Sequence, residues 1–152
     1  MTTFFIFSAK YLVSISILIG MAYFLRQPRP IKTNMLKLSL ISLPIMYIVA
    51  KIAGHFFYNA RPFVVGNFTP LIAHAADNGF PSDHTLLAAG IAMIVSLFNK
   101  RVGTILWILT IIIAIARVYT GVHHVIDVIG SMVIAVAVTV LVGWWMEGKR
   151  KV

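Results

Sequence analysis

The sequence predicts an all-α, polytopic membrane bundle of about five transmembrane helices, and three observations carry that prediction. The 152 residues are 60% hydrophobic and only 11% charged, whereas a soluble domain is about one quarter charged. The apolar residues gather into five long runs, broken by short segments rich in Pro, Gly or basic residues. The cations behind the net charge of +9 are not scattered but sit mostly at alternate breaks. There is no cysteine, so disulfides and thiolate chemistry are excluded.

The first run extends from about Thr3 to Leu25 with Lys10 as its one charge. It is longer than the apolar core of a signal peptide and has neither a basic start nor a small-residue cleavage site, so it reads as a membrane helix. Gln27-Pro28-Arg29-Pro30 ends it, because neither proline continues a helix and each pushes its predecessor into an extended conformation. The second run covers about Met35 to Tyr58, with a kink expected at Pro44 and Lys51 near its far end. After Arg61-Pro62 a loop of about twenty residues holds Gly66, Asn67, Pro70, Asp77, Asn78 and Gly79, and loops of that length are usually functional. The third run, Ser82 to Phe98, opens on the helix-start triplet Pro81-Ser82-Asp83. Asn99-Lys100-Arg101 leads to the fourth, Val102 to about Tyr119, and Thr120-Gly121 reverses the chain into the fifth, Val122 to Trp145. About 20 helical residues cross ~30 Å of hydrocarbon, a length the third run only just reaches. No repeat or second domain is visible, so residues 1–152 read as a single domain.

Five crossings place the amino terminus, the 59–81 loop and the 117–123 reversal on one side. Arg26, Arg29, Lys32, Lys37, Lys100, Arg101, Lys149, Arg150 and Lys151 fall on or beside the other. The positive-inside rule makes that basic side cytoplasmic and the carboxyl terminus with it. The excess charge is thereby a record of topology, which removes the argument for nucleic acid as a partner. Lys51, Arg61 and Arg117 remain, gathered on the extracytoplasmic side with the histidines.

Three segments meet there: Lys51 to Pro62, Pro81 to His84, and Arg117 to Asp127. Two guanidiniums on one spot call for an anion, and Arg matches phosphate in a bidentate way. The free N–H groups from about Ser82 to Thr85 and the positive end of that helix dipole add to the site. His123 and Asp127 are four residues apart, so a helix would stack them, the carboxylate taking the Nδ1 proton and leaving Nε2 free. On these two residues alone, a buried structural pair has an equal claim. Two histidines without an acidic cluster favour covalent catalysis, His123 as nucleophile and His84 as acid. Asp83, His84, His123, His124 and Asp127 could nominally supply a zinc site, which is the lesser alternative.

The segments K-I-A-G-H-F-F-Y-N-A-R-P (51–62), P-S-D-H (81–84) and A-R-V-Y-T-G-V-H-H-V-I-D (116–127) resemble the three signature motifs of the type 2 phosphatidic acid phosphatase superfamily. Those motifs are K-x6-R-P, P-S-G-H and S-R-x5-H-x3-D, and the match covers about the central half of the chain. The resemblance implies an integral-membrane lipid phosphatase working without a metal or other cofactor. By the same resemblance, His123 is expected to form a phosphohistidine with Asp127 as its orienting partner, and His84 to be the general acid. The resemblance further implies that Arg61, Arg117, Ser82 and Lys51 bind phosphate, with Asp83 beside them. The stretch D-N-G-F-P-S-D-H-T (77–85) is most similar to the bacitracin-resistance-type undecaprenyl-diphosphate phosphatases. That implies lipid-carrier recycling for cell-wall biogenesis in a bacterial plasma membrane. Phosphatidylglycerophosphate and phosphatidic acid are the alternative substrates, and a small transporter or proton relay is the reading from another class.

Three positions depart from the motifs. Nine residues separate Lys51 from Arg61, so Gly54 stands at the expected lysine position and Lys51 lies one turn deeper. Asp83 replaces a glycine, setting a carboxylate at the pocket that would repel substrate unless turned away. Ala116 replaces a serine, which removes one hydrogen bond of about 1 kcal/mol. Lys51 is equally readable as snorkelling to the interface. His124 faces a neighbour or headgroups, His55 and His74 read as interfacial, and Trp107, Trp144 and Trp145 as packing or belt aromatics. Asp77 and Asn78 are expected to form a turn with Gly79, with a grip on the headgroup as the second reading. Phe63-Val64-Val65 and Pro70-Leu71-Ile72 are expected to dip into the interface as a lid.

Overall fold

A computed structural model describes residues 1–148. The Lys149, Arg150 and Lys151 cluster used in the topology argument lies outside the described residues. Six helices follow in order: α1 (Thr2–Leu25), α2 (Arg29–Phe56), α3 (Pro62–Val65), α4 (Asp83–Ser96), α5 (Lys100–Tyr119) and α6 (Val125–Gly148). Helix α2 begins earlier than its hydropathy suggests. Pro30 sits in its first turn, where a missing N–H costs nothing, and the helix then runs through Pro44 to Phe56.

Helices α1, α2, α5 and α6 are long and apolar enough to cross a membrane, whereas α4 is a 14-residue helix and shorter than the expected third span. At 1.5 Å per residue it covers about 21 Å. It packs against α1, α2, α5 and α6, and its Ala88, Ala89, Gly90 and Ala92 are buried. Small side chains let the surrounding helices approach closely. The lengths that match a bilayer belong to the outer helices, whose Leu18, Leu40, Ile108 and Leu141 project outward.

The two ends of the bundle differ in character. At one end, Tyr23, Phe24, Ile31 and Val102 pack around Met35, Val95 and Leu106, with Arg26, Arg29, Lys37, Lys100 and Arg101 exposed nearby. At the other, Phe5 stacks on Tyr119, and Ala9 packs with Ile72, Ala116 and Val122. The α4–α5 connection is tight: Asn99 caps α5 by accepting from the Val102 N–H at 3.1 Å. A Cβ on Gly103 would lie 2.6 Å from the Ser96 Cα, closer than atoms can pack.

Gly103→Ala should therefore force α4 and α5 apart and destabilise the chain by roughly 1–3 kcal/mol, the usual penalty of overpacking. Thermal unfolding in detergent is expected to show a lowered midpoint. Gly148→Ala, where an added Cβ meets nothing within 4 Å, should leave it unmoved.

Candidate active site

The chain leaves α2 and returns to it through one asparagine. Asn78 donates from Nδ2 to the Gly54 carbonyl at 2.7 Å and to the Phe57 carbonyl at 3.3 Å, occupying carbonyls that the end of α2 leaves without helical donors. Its Oδ1 accepts from the N–H of Asn59 at 2.9 Å and of Phe80 at 3.0 Å. The Gly79 N–H donates to the Asn59 carbonyl at 2.8 Å. Residues 59–61 and 77–80 are thereby clamped side by side, more than the expected local turn. The close approach also accounts for the glycine at the motif's lysine position. A Cβ on Gly54 would sit 2.7 Å from the Phe80 carbonyl oxygen.

His123 lies at the centre of what this clamp positions. It precedes α6 rather than belonging to it, so helical stacking on Asp127 is not what orients the ring. Nδ1 donates to the Gly79 carbonyl at 2.9 Å, while the Asp127 Oδ2 is farther, at 3.4 Å. Asp127 is held more tightly by other donors, Asn59 Nδ2 at 2.7 Å and the His124 N–H at 2.8 Å. The latter is the reach-back of a third-position carboxylate to the residue before its helix. Gly79 and Asp127 together favour the tautomer with its proton on Nδ1, leaving the lone pair on Nε2.

Two guanidiniums converge on that lone pair. Arg61 Nη1 and Arg117 Nη2 each lie 3.3 Å from His123 Nε2. Arg61 is fixed by the Asp77 carboxylate on Nε at 2.7 Å, by the Val122 carbonyl on Nη1 at 2.8 Å and by the Asn78 carbonyl on Nη2 at 3.3 Å. Arg117 is buried with its Nε–H unpartnered. Burial lowers the His123 pKa from its ordinary value, and Arg117 and Arg61 press in the same direction against the opposing pull of Asp127. Burial would raise the Asp77 carboxyl, but the hydrogen bond and charge of Arg61 outweigh that and hold it below the usual range.

These groups open into a cavity of about 320 Å³, lined among others by Lys51, Arg61, Asp83, His84, Arg117 and His123. It is large enough for a phosphate or diphosphate headgroup. Asp83 is exposed and faces the cavity rather than turning away from it. Lys51 lines it one turn deeper than the motif position, with Nζ 5.0 Å from the Tyr47 ring centroid.

Ser82 and Asp127 are not among the lining residues. The Ser82 hydroxyl is buried and accepts from Thr85 Oγ1 at 3.2 Å. Its N–H donates to the Asp127 carbonyl at 3.3 Å, and Ser131 Oγ donates to both of their carbonyls, at 3.0 and 2.7 Å. Ser82 thus ties α4 to α6, where a phosphate ligand was expected. His124 donates from Nε2 to the Ala60 carbonyl at 3.1 Å, so it faces a neighbouring segment.

Sequence reasoning missed Asn59 and the Gly79 carbonyl, and it read Asn78 as a turn residue and His74 as interfacial. His74 lines the cavity, with its ring centroid 6.0 Å from that of His123. The signal for it was weak, a lone histidine in a long loop. Of the expected lid, Val64, Val65 and Leu71 are exposed but Ile72 is buried core. Among the described residues no three His, Asp or Glu are grouped closely enough to hold a metal ion.

Comparison with known proteins agrees with the motifs. The chain is 35% identical over 107 residues to the bacitracin transport permease protein BcrC of Bacillus licheniformis, covering 70% of this chain and 53% of that protein. It is 38% identical over 82 residues to the undecaprenyl-diphosphatase BcrC of Bacillus subtilis, covering 54% and 42%. The chain thus spans about half the length of these curated relatives. Among solved structures, Aquifex aeolicus LpxE matches with a TM-score of 0.70 at 22% identity, over 93% of this chain and 81% of that one. The transmembrane PAP2-type phosphatidylglycerolphosphate phosphatase of Bacillus subtilis matches with a TM-score of 0.65 at 26% identity, over 97% and 75%. A family model described as the PAP2 superfamily matches residues 35–151, and the chain belongs to that superfamily.

Proposed function

We propose that the chain is a membrane lipid phosphatase that removes the terminal phosphate of a lipid (pyro)phosphate through a phosphohistidine on His123. The observation that carries this is the convergence of Arg61 Nη1 and Arg117 Nη2 at 3.3 Å on His123 Nε2. The donors that would stabilise a transferring phosphoryl group already surround the atom that would attack it. Positioning and electrostatics dominate such transfers.

His123 Nε2 attacks the terminal phosphorus in line, and the guanidinium N–H groups move from its lone pair to the non-bridging oxygens. The unpartnered Nε–H of Arg117 supplies a further donor. His84, across the same cavity, protonates the leaving lipid oxygen, and water then releases phosphate from His123. Asp127 and the Gly79 carbonyl hold the Nδ1 proton and stabilise the ring as charge develops on it.

Undecaprenyl diphosphate is the favoured substrate, on the strength of the BcrC relatives named above. Phosphatidylglycerophosphate is the second reading, supported by 30% identity over 95 residues to the phosphatidylglycerophosphatase B of Bacillus subtilis. A transporter or proton relay would place ionisable groups along the bundle. The buried ones among the described residues, Arg61, Arg117, His123 and Asp127, belong instead to this one cluster. The exposed arginines and lysines at the opposite end favour an extracytoplasmic site in a bacterial plasma membrane.

Phosphate release by the purified chain should be measured on undecaprenyl diphosphate, phosphatidylglycerophosphate and phosphatidic acid. His123→Ala should abolish it, and His84→Ala should lower it by about 10²-fold or more, the scale of a lost general acid. EDTA should leave it intact, whereas EDTA-sensitive activity restored by zinc would overturn the mechanism.

The pH profile of kcat/KM should be bell-shaped and lie toward acid pH, because His84 must be protonated to act as the acid, while burial and the nearby Arg117 charge push it down to about 4. Activity needs neutral His123, so it should fall as pH drops through that group's pKa, which burial and the two arginines hold below 6.5. An acid limb centred clearly above 6.5 would contradict this assignment.

A further inference from the structure

The loop between α3 and α4 carries an imidazole that transfer of phosphate to His123 does not require. His74 is held in place from both sides. Upstream, the Leu71 N–H donates to the Thr120 carbonyl at 3.0 Å, and Ile72 packs against Ala9, Ala116 and Val122. Downstream, Asp77 pairs with Arg61 at 2.7 Å. Between these anchors the His74 ring lies edge-to-face with that of His123, at 6.0 Å between centroids and 77° between planes.

The His74 Nδ1 faces the Ala75 carbonyl at 3.4 Å. With the proton on that nitrogen, Nε2 carries a free lone pair. The charged and titratable groups sharing its cavity are Lys51 from α2, Arg61 and Asp77 from the clamped loop segments, Asp83 and His84 from α4, Arg117 from α5, and His123. Burial first, then Arg61 and Arg117, lower the His74 pKa, against the weaker opposing influences of the Ala75 hydrogen bond and then Asp77. A neutral imidazole beside the nucleophile is equipped to accept a proton.

We propose that His74 is the general base of the second half-reaction, taking the proton of the water that releases phosphate from His123. This rests on the phosphohistidine reading above. The water oxygen bonds to phosphorus as the phosphorus–Nε2 bond breaks, and that bond's electron pair returns to Nε2. One water proton passes to His74 Nε2. The products are inorganic phosphate, neutral His123 and a His74 imidazolium, which returns its proton to solvent. His84 serves the other half-reaction: it gives its proton to the departing lipid and regains one from solvent before the next turnover. Two imidazoles at one cavity thus divide acid work from base work.

Rapid-quench kinetics on the full chain, with undecaprenyl diphosphate radiolabelled in its terminal phosphate, tests this. In the unaltered protein, lipid product and inorganic phosphate should appear together. In His74→Ala and His74→Gln, lipid product should appear in a burst approaching one per chain, with acid-labile label accumulating on the protein. Steady turnover should then be slower by about 10²-fold, and added imidazole should restore part of it in His74→Ala. Unchanged turnover, or equal slowing of both half-reactions without labelled protein, would overturn the role of His74. Label on protein or sustained turnover in His123→Ala would instead overturn the phosphohistidine reading.

Discussion

Two buried guanidiniums held against one imidazole nitrogen are the constraint on which the rest of this structure depends. Placing like charges together away from water is costly unless they are paired and hydrogen-bonded. Arg61 meets that requirement through Asp77 and two backbone carbonyls. Arg117 does not, since its contact is the His123 lone pair and its Nε–H has no partner. The shortfall of negative charge sits where a phosphate would bring it, so an anion bound there would also satisfy the buried guanidinium.

Holding that arrangement falls to the backbone more than to the charged side chains. Asn78 joins the end of α2 to both 59–61 and 77–80, and Gly79 then presents its carbonyl to His123 Nδ1. Asp127 supports the ring from farther off while binding Asn59 and the start of α6. One carboxylate therefore accepts at the start of α6, ties that helix to the loop after α2 and lies 3.4 Å from His123 Nδ1. Gly54 follows from the same packing, because the closeness of Phe80 leaves no room for a side chain. Lys51 keeps a cation on the cavity wall from one turn below.

Legibility in the sequence divided along physical lines. Arg61, His84, Arg117 and His123 were readable because ionisable side chains at the ends of apolar runs are expensive and so conspicuous. All four line or border one cavity. The surroundings of Ser82 were not readable, because a helix-start serine looks the same whether its hydroxyl faces a cavity or, as here, accepts from Thr85. His74 was read as interfacial because a single histidine in a long loop carries no periodicity to place it at the cavity. The short α4 was overestimated because burial by neighbouring helices, not hydropathy, sets how long a central helix has to be.

The amino-acid sequence by itself determined the apolar spans, the separation of a basic end from a histidine-bearing end, and the identity of the charged groups. These follow from partitioning and helix periodicity, which act within a run of some twenty residues. Only the tertiary structure decided which atoms meet. The contacts that orient His123 and Asp127 join residues 44 and 68 positions apart, and such pairings depend on how the helices pack and on where one asparagine closes the loop between them.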